Sequence, residues 1–110
     1  KDDVVFEEAN IEYVEALRAG TLLKAGAQDG ELAPAAKGDT VVAVLIDRRL
    51  VLDEAGRVMR ARDFTVGTEY PMVVVKTGVT LNKAKLVYLD KSTISEDDVA
   101  VLKGLGIVAI

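Results

Sequence analysis

The side chains available for chemistry in this chain are carboxylates, lysines, arginines and two serines, because its 110 residues include neither His nor Cys. That composition removes the Ser-His and Cys-His nucleophile systems, the imidazole general base, thiolate metal sites and disulfides together. The two serines are Ser92 and Ser95, and Ser95 stands where its hydroxyl would cap a helix. Carboxylates adjoin at Asp2-Asp3, Glu7-Glu8 and Asp97-Asp98. Neighbours on a strand point to opposite sides and do not converge on one substrate atom. Acidic side chains in a first helical turn offset the helix dipole by ~0.3 to 1 kcal/mol each. All three pairs therefore read as solvated or dipole-compensating charge. No calcium-loop spacing and no phosphate-binding glycine motif occurs, and the nine glycines are spread singly, as turn glycines are. Arg57, Arg60 and Arg62 with Lys76 could gather into a basic patch, yet on a regular strand Arg57 would face away from the other two. No catalytic, metal-binding or cofactor-binding residue is expected. The chain reads as a binder of protein surfaces and not as an enzyme.

Whatever positions a binding surface here must fit one domain, the usual content of a chain this long. Half the residues are apolar, yet charged residues or glycines interrupt every run well short of the ~18 to 20 residues of a membrane span. No membrane is expected among the partners. A net charge of −4 and scattered Lys and Arg argue against nucleic acid, which calls for a clustered basic face. The opening Lys1-Asp2-Asp3-Val4 lacks the basic-then-apolar pattern of a secretory signal, so synthesis in the cytoplasm is expected.

From Arg18 onward, short apolar runs of β-branched residues alternate with Gly and Asp turns, the texture of a strand-rich body. Strands are expected at 21–24, 31–33, 40–47, 50–53, 57–61, 70–76, 85–89 and 106–110. Asp53-Glu54-Ala55-Gly56 predicts a hairpin, with Gly56 taking a positive φ at little cost. The runs at 40–46 and 72–75 are nearly continuous in apolar residues, so both of their faces should be covered, by the core or by a neighbouring subunit. That tension favours a homo-oligomer. A single helix is predicted over 96–103: Ser95 caps it, Glu96, Asp97 and Asp98 charge its first turn, Lys103-Gly104 stops it, and Val99, Leu102 and Leu105 form its buried stripe.

The segment from Asp2 to Glu15 mixes apolar and acidic residues without turn punctuation and reads as an extended arm. Ordering about 14 residues costs ~1 to 2 kcal/mol each in backbone entropy, against ~1.5 to 3 kcal/mol for burying each of Val4, Val5, Phe6, Ile11 and Tyr13. The arm is therefore expected to be loose in the free protein, or to gain hydrogen bonds by pairing with a sheet edge of another chain. The other reading is an ordinary first strand of the same domain.

Three stretches of the body, Arg18-Ala19-Gly20-Thr21-Leu22-Leu23, Gly30-Glu31-Leu32-Ala33-Pro34-Ala35 and Gly38-Asp39-Thr40-Val41-Val42-Ala43-Val44-Leu45, resemble the head decoration proteins of tailed phages, of which the lambda-type D protein is best known. The resemblance continues through Val79-Thr80-Leu81-Asn82-Lys83-Ala84-Lys85-Leu86-Val87, the closing helix and Leu105-Gly106-Ile107-Val108. It implies a mainly β fold: a β-clip-like irregular small barrel over residues 18–110, with one short C-terminal helix and an extended N-terminal arm over 1–17. It also implies a homotrimer on the outer capsid surface of the virion, at threefold and quasi-threefold sites. There it would cement the major capsid protein of an expanded head against internal DNA pressure. On that resemblance Val4, Val5, Phe6, Ile11 and Tyr13 would be the capsid-binding residues of the arm. Two other readings compete. One is a lipoyl- or biotinyl-type carrier domain modified at Lys83, although Asn82-Lys83-Ala84 lacks the expected flanks. The other is a clip-type ligand-binding module.

Overall fold

The computed structural model describes residues 5–58 and 60–110, with Val5 described in its backbone alone. The described chain contains seven strands and one helix: β1 (Val5–Glu12), β2 (Leu22–Ala25), β3 (Leu32–Pro34), β4 (Ala43–Leu45), β5 (Glu69–Thr77), β6 (Val79–Leu81), α1 (Glu96–Leu105) and β7 (Ile107–Ala109). The fold is mainly β, as expected, with one short C-terminal helix. Strands run β1-β5-β4-β2-β3 in one sheet whose neighbours are all antiparallel, and β6 pairs with β7 in parallel. The large sheet curls into a half-barrel, because the Asn10 N–H donates to the Gly30 carbonyl at 3.3 Å and draws β1 back towards the start of β3.

Neighbouring strands share faces along their ladders, apart from a register shift between Val5 and Phe6 on β1, and the apolar runs use both faces. On one side Ala9, Ile11 and Tyr13 meet Leu23, Ala43, Leu45, Met72 and Val74; on the other, Leu22, Val44 and Val75 meet Leu86, Tyr88, Ile94, Leu102 and Ile107. The expectation that both faces of the long runs are covered holds, and this chain covers them itself. The step from covered faces to a homo-oligomer therefore falls away: a 110-residue chain manages both faces by folding β6, α1 and β7 back over the sheet.

Several predicted strands are shorter than their apolar runs. The 40–47 run is a strand only at Ala43–Leu45, since Asp47 caps a 3-10 turn at Arg48–Leu50. The stretches expected as strands at 50–53 and 57–61 touch through one antiparallel bridge, Leu52 to Val58, around the predicted turn, where Gly56 has φ +81°. The 85–89 segment is held through Val87, which bridges Thr21 and Thr93, and is not a strand. Ser95 caps α1 as predicted, its Oγ accepting from the Asp98 N–H at 3.2 Å. The helix passes Gly104 and stops at Gly106, whose φ of +94° lets its N–H reach the Leu102 and Lys103 carbonyls. Leu102 is buried and Val99 half-buried, whereas Leu105 is exposed. The buried Tyr88 hydroxyl ties the helix start to the body by donating to Asp98 Oδ2 at 2.5 Å and accepting the Ser95 N–H at 3.0 Å.

One buried carboxylate pins β4 to β5. Asp47 is 3% exposed; its Oδ2 accepts the Val73 N–H at 3.0 Å, and both of its oxygens are bound by the Arg49 guanidinium at 2.8 to 2.9 Å. The Arg49 hydrogen bonds, with backbone N–H donors from Val73 and Arg49, hold the Asp47 carboxyl at about 2, below its ordinary 3.8. A folded-state value below the unfolded one means stability that is complete above pH 3.8 and is lost as pH falls through about 2. That difference corresponds to about 2 kcal/mol. Asp47→Asn is accordingly expected to lose about 2 kcal/mol at pH 7 and to flatten the acid limb of stability against pH, as read by urea titrations between pH 2 and 7.

Candidate functional site

The residues expected to face a partner fall into three groups. Val4 lies outside the described residues, and Val5 contributes its backbone, opposite Thr77 on β5. Phe6 is 59% exposed on the sheet face it shares with Val75, beyond the cover supplied by α1 and β7. Ile11 and Tyr13 are 0% and 5% exposed inside the chain's own first core. The Tyr13 ring stacks on Phe64 with centroids 5.0 Å apart and planes 9° apart; Tyr70 meets Phe64 edge-on, and the Arg49 guanidinium lies 5.0 Å from the Phe64 centroid. Burial, then the Glu15 charge, pushes the Tyr13 hydroxyl above its ordinary value.

The expected partner surface thus splits along the strand. In this conformation Ile11 and Tyr13 have no surface to offer, because β1 pairs with β5 over its whole length, from Val5–Thr77 to Glu12–Glu69. The entropy comparison missed this for a physical reason. It counted the apolar surface of the arm alone, whereas β1 also removes Met72, Val74, Phe64 and Tyr70 from water and adds a backbone ladder. The signal was present: Ala9, Ile11 and Tyr13 alternate with Glu8, Asn10 and Glu12, the period of a half-buried strand. The expected boundary between residues 17 and 18 also runs next to this core, which Leu17, fully buried, joins together with Ile11.

β1 is an edge strand, and the orientation of its backbone can be fixed from three hydrogen bonds. Asn10 N–H points away from β5, to Gly30; Tyr13 N–H points towards β5, to the Thr68 carbonyl; and the Val73 carbonyl, opposite Glu8, is taken by Ile46 of the next strand connection. Even-numbered residues of β1 therefore direct N–H and C=O outwards. At Asn10 that outer edge is closed by Gly30, and towards Glu8 and Phe6 it opens. Among the described residues no hydrogen bond reaches the outward groups of Glu8. Glu7 binds Lys76 across the ladder at 3.1 Å. Further along the closed part of the seam, Glu69 is raised above the ordinary glutamate value, first by its hydrogen bond to Glu31, then by desolvation and the Glu31 and Glu12 charges.

The other candidate residues do not form a site. Lys83 opens a 3-10 turn, its amine bound to Glu96 at 3.2 Å and its N–H to the Ile110 carbonyl. Arg60 binds Asp63 at 2.6 Å, and the arginine stretch is a 3-10 turn at Ala61–Asp63, so the strand alternation expected there does not apply. Among the described residues no group of three or more carboxylates is arranged to hold a metal, and no helix is long and apolar enough to cross a membrane. Among the described residues, exposed large apolar side chains outside β1 are Val51, Val66 and Leu89 in connecting segments and, on the C-terminal unit, Val101 and Leu105 of α1, Val108 of β7, and Ile110.

Compared with known families, residues 2–109 match the model described as the Bacteriophage PhiTE minor capsid decoration protein. No curated protein and no solved structure matches the chain.

Proposed function

From the premise that the chain belongs to this bacteriophage capsid decoration family, we propose that it binds as a homotrimer to the outer surface of an expanded phage head. Its sites there are the threefold and quasi-threefold positions, where it ties neighbouring copies of the major capsid protein together against internal DNA pressure. Its role is structural and not catalytic. The observation that carries this reading is the family match over nearly the whole chain. The outer edge of β1 at Glu8, which among the described residues meets no hydrogen-bond partner, and the exposed Phe6 beside it support contact with the shell through the N-terminal segment, Val4, Val5 and Phe6 above all. Ile11 and Tyr13 would join that contact only if β1 left β5, and residues 1–17 would act as an arm separate from the 18–110 body only in that state. The exposed Val101, Leu105, Val108 and Ile110 support an association face between copies on the C-terminal unit.

Two measurements test this. Sedimentation equilibrium of the isolated protein should return three times the chain mass, and a stable monomer would contradict the trimer. Incubation with expanded heads lacking decoration should carry the protein into the head pellet and raise the temperature at which the heads rupture. Protein left in the supernatant would reject the reading.

A further inference from the structure

The curled sheet leaves a seam. β1 and the β2–β3 hairpin touch at Asn10 and Gly30 and diverge from there towards the N-terminal end of β1. The resulting cleft has Glu7, Glu8 and Ala9 on one wall and the hairpin from Ala25 to Leu32 on the other. Three observations describe what fits it. The Glu8 wall presents outward backbone N–H and C=O groups, the template for an added strand. The cleft carries four carboxylates, Glu7, Glu8, Asp29 and Glu31, against Lys76 alone, which Glu7 already binds. On the sheet face shared with Glu8, Phe6 stands exposed next to the open edge.

We propose that this seam accepts an extended, lysine- or arginine-bearing segment of the shell protein, which pairs with the outer edge of β1 and extends the half-barrel by one strand. The inference rests on the capsid-decoration reading and specifies its contact. At ~3.3 Å per residue, the open stretch from Val5 to Ala9 takes about five residues of partner strand. Basic side chains on the segment meet the carboxylates of the cleft, and an apolar one at an alternate position packs on Phe6. A basic occupant is favoured over a second copy of this chain, whose own N-terminal segment is acidic and would be repelled.

Glu8→Pro is the decisive variant. Its lost N–H faces outwards, so the β1–β5 ladder survives, while an incoming strand loses a hydrogen bond and meets the ring. With undecorated expanded heads, wild type should bind, and Glu8→Pro, with its thermal transition retained, should bind at least about tenfold more weakly. Charge removal by Glu8→Gln with Asp29→Asn should weaken binding and reduce its salt dependence. Amide exchange on the wild-type protein gives a second readout: Glu8 N–H should exchange faster than Ala9 N–H when free and become protected on heads. Equal head binding by a folded Glu8→Pro protein, or a Glu8 amide unprotected on heads, overturns the seam and leaves the decoration reading standing. Absence of wild-type binding rejects both. A Glu8→Pro protein that changes its oligomer mass but still binds heads overturns the proposal in favour of a second copy as occupant.

Discussion

A chain beginning at Arg18 is expected to lose its cooperative thermal transition, whereas one beginning at Val5 keeps it. The deletion removes β1 together with Ala9, Ile11, Tyr13 and Leu17, and uncovers Met72, Val74 and Phe64 on the face they share. Truncating Ile11 alone to alanine, at a site with no exposed surface, should cost about 2 to 5 kcal/mol. Removing all four side chains and the ladder to β5 exceeds that and approaches the whole ~5 to 15 kcal/mol by which domains are stable. The consequence for binding work is direct: failure of the shorter chain to bind heads would report unfolding, not loss of a contact. Circular dichroism melting of the two chains checks this, and a chain from Arg18 that melts cooperatively within a few degrees of wild type would contradict it.

The second large effect is expected at Gly20. Its φ is +100°, and a Cβ there would lie 2.2 Å from the Lys85 carbonyl oxygen. The backbone has little room to give way, because Gly20 N–H donates to the Leu45 carbonyl at 2.7 Å and its own carbonyl accepts from Val87 N–H at 3.0 Å. Gly20→Ala therefore meets a penalty of about 1 to 2 kcal/mol for the left-handed conformation and a backbone clash besides. A loss above about 3 kcal/mol is expected in urea denaturation, which for a domain of this size lowers Tm by more than about 10 °C. Gly56→Ala, with φ +81° and nothing within 4 Å of the added Cβ, isolates the conformational part and should cost about 1 kcal/mol.

Gly20 also illustrates what the sequence conveys and what it withholds. That it occupies a turn is legible; that it is the point where the 85–87 segment crosses over β2 and β4 is not, because the crossing joins residues more than 60 apart. The same division runs through the fold. Local chemistry was readable: the Ser95 cap with its acidic first turn, the Asp53–Gly56 turn, and the strands around Leu22, Leu32, Val74 and Val108. β6 was missed because its partner, β7, lies far along the chain and only their parallel pairing makes Val79–Leu81 a strand. The helix end was misplaced by two residues because two glycines, Gly104 and Gly106, offered the same stop, and packing against Thr77 and Gly78 selected the second.

For the candidate site, the sequence marked one segment, and the structure divides that segment between an exposed Phe6 and a buried Ile11 and Tyr13. Its acidic and apolar mixture marked residues 2–15, and Phe6 is indeed exposed. Ile11 and Tyr13 were assigned outwards on the family resemblance, as apolar residues of an apparent arm; the alternation that places them inwards begins only at Ala9. The seam was beyond reach of sequence reasoning, since Glu7 and Glu8 share a cleft with Asp29 and Glu31 only after Asn10 meets Gly30.

The most direct test of the central claim is electron cryomicroscopy of expanded heads saturated with the protein. The account predicts added density outside the shell at threefold and quasi-threefold positions, with β1 next to a strand of the major capsid protein. Heads that show no added density after incubation, or density attached elsewhere on the particle, would contradict it.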